Sequence, residues 1–287
     1  MKPILEKLTP EPDCSFVLQK DSFPYYPTPW HYHPEYELVM VLKSTGKKII
    51  GDHISHFSEG DLVLMGPNLP HVYDNDPAYY EEDSQLKAEA IVIHFAEDFL
   101  GKNFFSLPEM GKVKKLLNAS RQGLQIEGES KDKIACRMEK MLSLSPALRL
   151  TELLSILVLL SQSETLTQLA SPGFVQSYSG ANAERLDPVL AYLMQHFAEE
   201  ISLEEVAAIA NMSPQSFCRF FKHCTRKTFL NFLNELRVGY ACRLISDNHY
   251  NISEICYKSG FNNLSNFNRQ FKRVTQKTPS EYKREYV

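Results

Sequence analysis

The sequence predicts a two-domain α+β protein: a small β-barrel followed by helices, and then an all-α domain that contains two helix-turn-helix units. Short β-type segments separated by turn residues occupy the first third of the chain. A segment of the form F-x-R-x-F-K occurs twice in the last third, and a stretch ahead of it lacks hydrophobic periodicity. We therefore assign residues 1–161 to the first domain, 162–183 to a linker and 184–287 to the second domain.

Five β-type segments predict the barrel. Their lengths and the turn residues between them are typical of small barrels and sandwiches. The segments are Tyr36 to Lys43, Lys47 to Gly51, Asp61 to Met65, His71 to Tyr73 and Ala88 to Phe95. Residues 1 to 30 are rich in proline and aromatic residues, and we expect them to form an extended arm.

Three histidines and one glutamate are candidate ligands inside this barrel. The segment His31-x-His33-x-x-x-Glu37 precedes Gly46, and the segment Gly60-Asp61-x-x-x-x-Gly66-Pro67-x-x-x-His71 follows. On a strand, residues 31, 33 and 37 share one face, so their side chains should point into the barrel, where His71 could join them. Both segments resemble the two sequence motifs of the cupin fold. The resemblance implies that metal-binding members hold a divalent ion at these positions, through imidazole and carboxylate groups.

Three roles are open for this cluster. Its residues line an effector pocket that needs no cofactor, or they hold a divalent metal ion, or they serve a catalytic cupin such as an oxygenase or isomerase. The metal candidates are His31, His33, Glu37 and His71, and the predicted pocket adds Trp30 and Tyr73 to them. Nothing beyond the ligand set marks a reaction, so catalysis is the least favoured role.

Helical periodicity replaces the β-type pattern after residue 97. The predicted helices are Lys112 to Ala119, Lys131 to Leu144 and Leu148 to Leu160. The last of them is apolar on nearly every side, so it must be covered twice. We expect the second cover to be the same helix of a partner chain, with burial inside one protomer as the alternative.

Two similar segments, about fifty residues apart, predict tandem helix-turn-helix units at about 202–224 and 253–275. Ser202 and Glu205 form a capping-box pattern, and Pro214 is suited to the first position of the second helix. The second unit repeats this order of elements with a turn one residue longer. Asp187 and Pro188 are expected to begin the helix that precedes the first unit.

A helical projection separates an aromatic face from a polar, basic face in each repeated segment. The aromatic faces are formed by Phe217, Phe220 and Phe221 in the first copy, and by Phe267, Phe271 and Val274 in the second. The opposite faces carry Gln215, Cys218 and Arg219 and, in the second copy, Ser265, Asn268 and Arg269 as candidates to contact DNA base edges. Lys222 and Lys272 are candidates to contact DNA phosphates.

The last hundred residues resemble the AraC/XylS family of bacterial transcription regulators. The resemblance rests on Ile255-x-Tyr257-x-x-Gly260-Phe261-x-x-x-Ser265-x-Phe267-x-Arg269-x-Phe271-Lys272 and on Thr278-Pro279-x-x-Tyr282. It implies a sequence-specific DNA-binding regulator that acts as a homodimer, contacts RNA polymerase and responds to a small-molecule effector, with a sugar as the expected class. Two positions depart from the family pattern: Cys256 replaces the usual Ala, and Gln276 replaces the Gly that commonly ends the helix.

Charge and composition agree with this interpretation. The net charge of −4 divides into −7 for residues 1 to 185 and +3 for residues 186 to 287, which assigns a polyanionic partner to the C-terminal part. Six cysteines without a Cys-x-x-Cys pair are typical of free thiols in a reducing cytoplasm. Neither a signal peptide nor a membrane span is predicted. The alternative function is a metal-dependent cupin enzyme with an accessory helical domain.

Overall fold

The computed structural model describes residues 4–6, 13–178, 180–246 and 248–286. The chain forms two compact units, one made mainly of residues up to Val175 and the other mainly of residues from Gln176 onward. Among the described residues, no helix combines the length and the apolar character that a membrane crossing requires.

The first unit contains two β-sheets. The strands are β1 (Ile4–Leu5), β2 (Val17–Phe23), β3 (His31–Tyr32), β4 (Tyr36–Lys43), β5 (Gly46–Ile50), β6 (His53–Phe57), β7 (Leu62–Met65), β8 (His71–Asn75), β9 (Ala88–Phe95), β10 (Leu124–Ile126) and β11 (Leu166–Gln168). The strand order is β1-β3-β8-β5-β6 in one sheet and β11-β10-β7-β4-β9-β2 in the other. Glu37 on β4 and His71 on β8 belong to different sheets and lie in contact, so the two sheets face each other across the interior.

The predicted strands Tyr36 to Lys43 and Ala88 to Phe95 agree with β4 and β9 at both ends. The prediction of an extended arm over residues 1 to 30 was wrong for strands β1 and β2, while residues 1–3 and 7–12 of it lie outside the described residues. The side chains of β2 are polar and partly exposed, so its sequence lacks the alternation of apolar and polar residues that predicts a strand. It is a strand because its backbone pairs with β9 from Val17 to Phe23.

Three helices cover the six-stranded sheet: α1 (Gly111–Ala119), α2 (Gly128–Met141) and α3 (Pro146–Leu160). One continuous core joins the sheet to the helices, and α3 contributes Leu153, Ile156, Leu157 and Leu160 to it. Leu148 and Val158 of α3 stay 53 % and 38 % exposed. The apolar helix is therefore buried on one side within the protomer and leaves apolar side chains on the other.

The segment 162–183, which its composition predicts to be a linker, contains regular secondary structure. It contains β11, which pairs with β10, and α4 (Pro172–Ser177). Ala170 and Phe174 are buried, and the amides of Leu169 and Ala170 donate to Gly123 and Gln122. This backbone pairing and burial attach residues 162 to 175 to the first unit, although the sequence of the segment has no periodicity.

The second unit is helical, with α5 (Gly180–His196), α6 (Leu203–Ile209), α7 (Pro214–Thr225), α8 (Phe229–Ser246), α9 (Ile252–Lys258), α10 (Leu264–Thr275) and α11 (Pro279–Tyr286). The predicted start of α5 at Asp187 was wrong, because the helix begins at Gly180 and continues through Pro188. Asp187 does not act as a cap: its carboxylate accepts a hydrogen bond from the hydroxyl of Tyr178, 2.7 Å away.

Candidate functional site

The helices α6–α7 and α9–α10 form two helix-turn-helix units with the same construction. Each first helix begins with a complete capping box, Ser202 with Glu205 and Asn251 with Glu254. These reciprocal hydrogen bonds satisfy amides at the helix start that would otherwise lack partners. Between the helices lie residues 210–213 in the first unit and 259–263 in the second, so the turn of the second unit is one residue longer, as predicted.

The second helix of each unit buries its aromatic face. Phe217 and Phe221 of α7, and Phe267 and Phe271 of α10, have no exposed surface. Phe220 and Val274 are exceptions to the predicted faces: Phe220 is half-buried and Val274 is 38 % exposed. Val274 belongs to the last turn of α10, one turn beyond Phe271, so it extends past the aromatic core.

Every predicted base-reading and phosphate-contacting side chain lies on the exposed surface of these two helices. The exposed residues are Gln215, Cys218, Arg219 and Lys222 on α7, and Ser265, Asn268, Arg269 and Lys272 on α10. The guanidinium of Arg269 donates a 2.9 Å hydrogen bond to the Asn266 side chain, on the same helix. Such a surface hydrogen bond can be replaced by one to a base edge at little cost in free energy, because both groups are already accessible to water.

The two second helices also end in the same way. Arg226 and Gln276 both adopt the left-handed conformation, with φ of 56° and 62°. The hydroxyl of Thr225 lies within hydrogen-bond distance of the carbonyl oxygens of Phe221 and Lys227. The hydroxyl of Thr275 lies in the same way between the carbonyl oxygens of Phe271 and Lys277. Gln276 therefore adopts the left-handed conformation that the glycine usual at this position adopts readily.

The barrel brings the predicted ligand residues together around the Glu37 carboxylate. Its Oε2 atom lies 3.1 Å from Nε2 of His33 and 2.9 Å from Nε2 of His71. Its Oε1 atom lies 3.8 Å from Nε2 of His94. His31 adjoins His71, with 4.1 Å between ring centroids. All five side chains are buried.

His94 was missed by the sequence interpretation. It occupies β9 directly opposite Glu37 on β4, within an apolar run that gives a lone polar residue little weight. A signal was present in the alternation of the strand, since Ile91, Ile93 and Phe95 face the helix-covered core while position 94 points to the other side. Glu6 was also missed, and its carboxylate lies 3.2 Å from Nε2 of His31.

Burial and charge perturb the ionisation of this cluster. Burial would raise the pKa of Glu37, but the neighbouring His71 and hydrogen bonds from His33 and His71 hold it well below the ordinary value. Burial lowers the pKa of His31 to about 3, with a further contribution from His71. Burial also lowers the pKa of His94 to about 4. The pKa of His33 is raised, since its contacts with Glu37 outweigh its burial. The cluster therefore holds the ionised carboxylate of Glu37 beside two imidazoles, of His31 and His94, that are neutral at neutral pH.

A cavity of about 160 Å³ adjoins the cluster. Four predicted pocket residues contribute to its wall: His31, Glu37, His71 and Tyr73. Trp30 and His33 are buried but are not part of the wall. Among its described residues the wall has three carboxylates, of Glu6, Asp21 and Glu37, and neither Lys nor Arg. Such a lining favours a neutral or cationic ligand over an anion.

The fold and these two sites define a class of protein: a tandem helix-turn-helix DNA-binding protein with a ligand-binding β-barrel. Residues 206–285 match a family model described as a helix-turn-helix domain, and residues 13–89 match one described as an AraC-like ligand binding domain. Together the two matches cover more than half of the chain. The protein is a DNA-binding transcription regulator of the AraC family.

Curated relatives extend over nearly the whole chain. The uncharacterized HTH-type transcriptional regulator YdeC of Bacillus subtilis is 23 % identical, over 89 % of this chain and 86 % of its own. The HTH-type transcriptional activator RhaS of an Enterobacter species is 26 % identical, over 88 % and 86 %. Among solved structures, ToxT from Vibrio cholerae is 13 % identical over 93 % of this chain and 97 % of its own, with a TM-score of 0.36.

Proposed function

We propose that α7 and α10 read two successive elements of an operator in double-stranded DNA and that a small molecule held in the barrel controls this binding. The observation that supports DNA binding is the repeated arrangement of the two helices. Each helix buries an aromatic face and exposes an arginine, Arg219 or Arg269, at the same position. An arginine so placed can donate two hydrogen bonds to O6 and N7 of guanine. Lys222 and Lys272 would contact phosphates and fix the helix on the duplex.

The effector would occupy the cavity beside Glu37, where Tyr73 offers a buried hydroxyl that has no hydrogen-bond partner. A sugar stays the prediction from the family resemblance. We propose that the barrel binds this ligand without converting it, in line with the relatives, which are named as transcription regulators.

The remaining partners are also part of the proposal. The exposed apolar side chains of Leu148 and Val158 support a homodimer in which α3 packs against its counterpart. Contact with RNA polymerase is proposed from the family resemblance. A cytoplasmic location is proposed because the DNA partner is there.

Selection of bound sites from a random pool of duplex DNA tests the central proposal. Wild-type protein should enrich a motif with two elements about one helical turn, roughly 34 Å, apart. Arg219→Ala should degrade one element and Arg269→Ala the other, each at a cost of about 1–3 kcal/mol for the preferred base.

Lys222→Ala is the matched variant on the same helix face. It should weaken binding to all sequences alike and reduce the salt dependence of binding, because it removes a phosphate contact. If the two arginine variants lowered affinity for every sequence equally and left the enriched motif intact, the assignment of base-reading roles would be wrong.

A further inference from the structure

Helix α8 is shared by the cores of the two helix-turn-helix units. In its first half, Phe232 contacts Phe221 of α7, with 5.5 Å between ring centroids. In its second half, Val238 and Ile245 belong to the core that contains Phe267 of α10. The two halves therefore attach α7 and α10 to one helix, and the orientation of α10 relative to α7 depends on what joins the two cores at the middle of α8.

Arg237 lies where these two halves meet and binds the end of α5, the helix that precedes the first unit. Its Nε atom donates to the carbonyl oxygen of Phe197 at 2.7 Å, and its Nη2 atom donates to that of Glu199 at 2.8 Å. Both carbonyls follow closely after His196, the last residue of α5, where a cation is also favoured by the helix dipole. A planar guanidinium presents its N–H groups in a fixed geometry, so this pair of bonds orients the end of α5 on α8.

The second unit contacts the same segment through its turn. A Cβ atom at Gly260 would lie 2.8 Å from the carbonyl oxygen of Ala198, so the two backbones are in close contact. The guanidinium of Arg237 lies 5.8 Å from the centroid of the Phe261 ring, within the range of a cation–π contact. Phe261 is buried and packs edge-on against Phe267 of α10, with 5.3 Å between centroids. Arg237 therefore connects the end of α5 to the core of α10.

The aromatic cores of the two units do not depend on Arg237, whose side chain is half-buried. Phe217 contacts Phe221 in the first unit and Phe267 contacts Phe271 in the second, and these four rings have no exposed surface. Loss of the guanidinium would therefore leave each unit its own core while it removes the bonds that relate one unit to the other.

An exposed hydrogen bond forms a second link between the units. Arg273 of α10 donates to the side chain of Asn231, in the first half of α8, at 2.6 Å. Because water competes for both groups at the surface, this bond contributes less to the connection than the paired, partly buried bonds of Arg237.

We propose that Arg237 is a positioning residue that fixes α10 relative to α7 and so restricts the protein to one spacing between its two operator elements. The inference rests on the proposed function, since it concerns how the same two helices bind DNA together. Two helices in a fixed relation give the second contact a high effective concentration at one spacing and almost none at other spacings. One inserted base pair moves the second element by about 3.4 Å and turns it by about 35°, which a rigid pair of helices cannot follow.

Distances between spin labels on α7 and α10 test the positioning role without DNA. One label is attached to Cys218 and the other to the cysteine introduced by Asn268→Cys, both at exposed positions. Cys14→Ser and Cys136→Ser remove the other accessible thiols, and the remaining cysteines are buried. Protein with Arg237 should give one narrow distance distribution. Arg237→Met, which keeps the apolar stem and removes the donors, should broaden this distribution or shift its maximum.

Two further variants complete this measurement. Arg237→Lys keeps the positive charge but cannot donate to both carbonyls in the same geometry, so it should give an intermediate distribution. Asn234→Ala is the matched control, because Asn234 is half-buried on the same side of α8, one turn earlier, and it should leave the distribution unchanged. Helical circular dichroism reports whether each variant is folded, and Arg237→Lys takes the place of Arg237→Met if the latter is not.

Binding to duplexes with altered spacing tests the consequence for DNA. The duplexes carry the two elements that full-length wild-type protein enriches, with no, one or two base pairs inserted between them. Wild type should lose affinity about tenfold or more on the first insertion, because linkage of two contacts contributes roughly 10²–10⁴-fold only when the geometry allows both. Arg237→Met should bind the original spacing more weakly than wild type and lose less than about threefold on insertion, since its helices can adjust.

An equal loss of affinity by Arg237→Met at every spacing would show a purely structural role and overturn the proposal. A label distribution as narrow and as placed as that of wild type would overturn it as well. If wild-type protein enriched no motif with two elements, the proposed function would fail, and the label distances would still decide whether Arg237 fixes α10 relative to α7.

Discussion

Gly260 in the turn of the second helix-turn-helix unit should not tolerate a side chain. Its φ is +81°, and a Cβ atom placed there would lie 2.8 Å from the carbonyl oxygen of Ala198 and 2.9 Å from the C and Cα atoms of the same residue. The left-handed conformation costs an L-residue about 1–2 kcal/mol. The contacts are with backbone, which cannot rotate away, and such overpacking costs about 1–3 kcal/mol more. Gly260→Ala should therefore destabilise the helical unit by about 2–5 kcal/mol.

Thermal unfolding of the full-length protein, followed by helical circular dichroism, measures this effect. For a unit of about 100 residues, each kcal/mol lowers the melting temperature by about 4–8 °C, so the transition of this unit should fall by at least about 8 °C. Asn262→Ala, an exposed position in the same turn, is the control and should stay within about 0.5 kcal/mol of wild type. A Gly260→Ala protein that melts with the control would refute the argument from the close contact with Ala198.

Three further substitutions test separate parts of the molecule, each by the shift in the unfolding midpoint in urea. Phe271→Ala should cost about 3–5 kcal/mol, because the ring is fully buried in the core of the second unit. Asn251→Ala should cost about 0.5–2 kcal/mol through loss of the capping box, and an unchanged midpoint would contradict that role. Lys48→Ala should cost about 3–5 kcal/mol in the barrel, since it leaves the carboxylate of Asp61, which it meets at 2.5 and 2.6 Å, without its cation; a loss below about 1 kcal/mol would show that water reaches Asp61.

The helix-turn-helix units could be predicted closely from sequence because local signals define them. Ser202, Glu205 and Pro214 specify helix starts through hydrogen bonds and backbone restrictions that act within a few residues. The phenylalanine spacing then fixes which face is buried. Spacing does not indicate where the core ends, and the prediction of the buried face failed there. Val274 has the right spacing for the buried face, but the core does not extend to the last turn of α10.

The elements that were missed depend on partners distant in sequence. β2 is a strand because β9 lies beside it, some seventy residues later, and β11 is a strand because it pairs with β10. Neither segment has the alternation that predicts a strand. The buried histidine and glutamate cluster depends on both local and distant relations in the sequence. The short spacing of His31, His33 and Glu37 could be recognised directly in the sequence. His94 joins them only through the register that sets it opposite Glu37.

Comparison of the two helix-turn-helix units distinguishes what maintains the fold from what serves recognition. At positions that maintain the fold, the two units have different residues in the same conformation. Ser202 and Asn251 cap the first helices, and Arg226 and Gln276 both adopt a left-handed conformation that suits glycine better. Packing and capping therefore permit substitution at these positions. The exposed arginine and lysine of each second helix contribute little to stability, because they are accessible to water. The proposed function accounts for their presence at the same positions in both units: duplex DNA, with repeated phosphates and a major groove wide enough for a helix, is a ligand that both helices would contact in the same way.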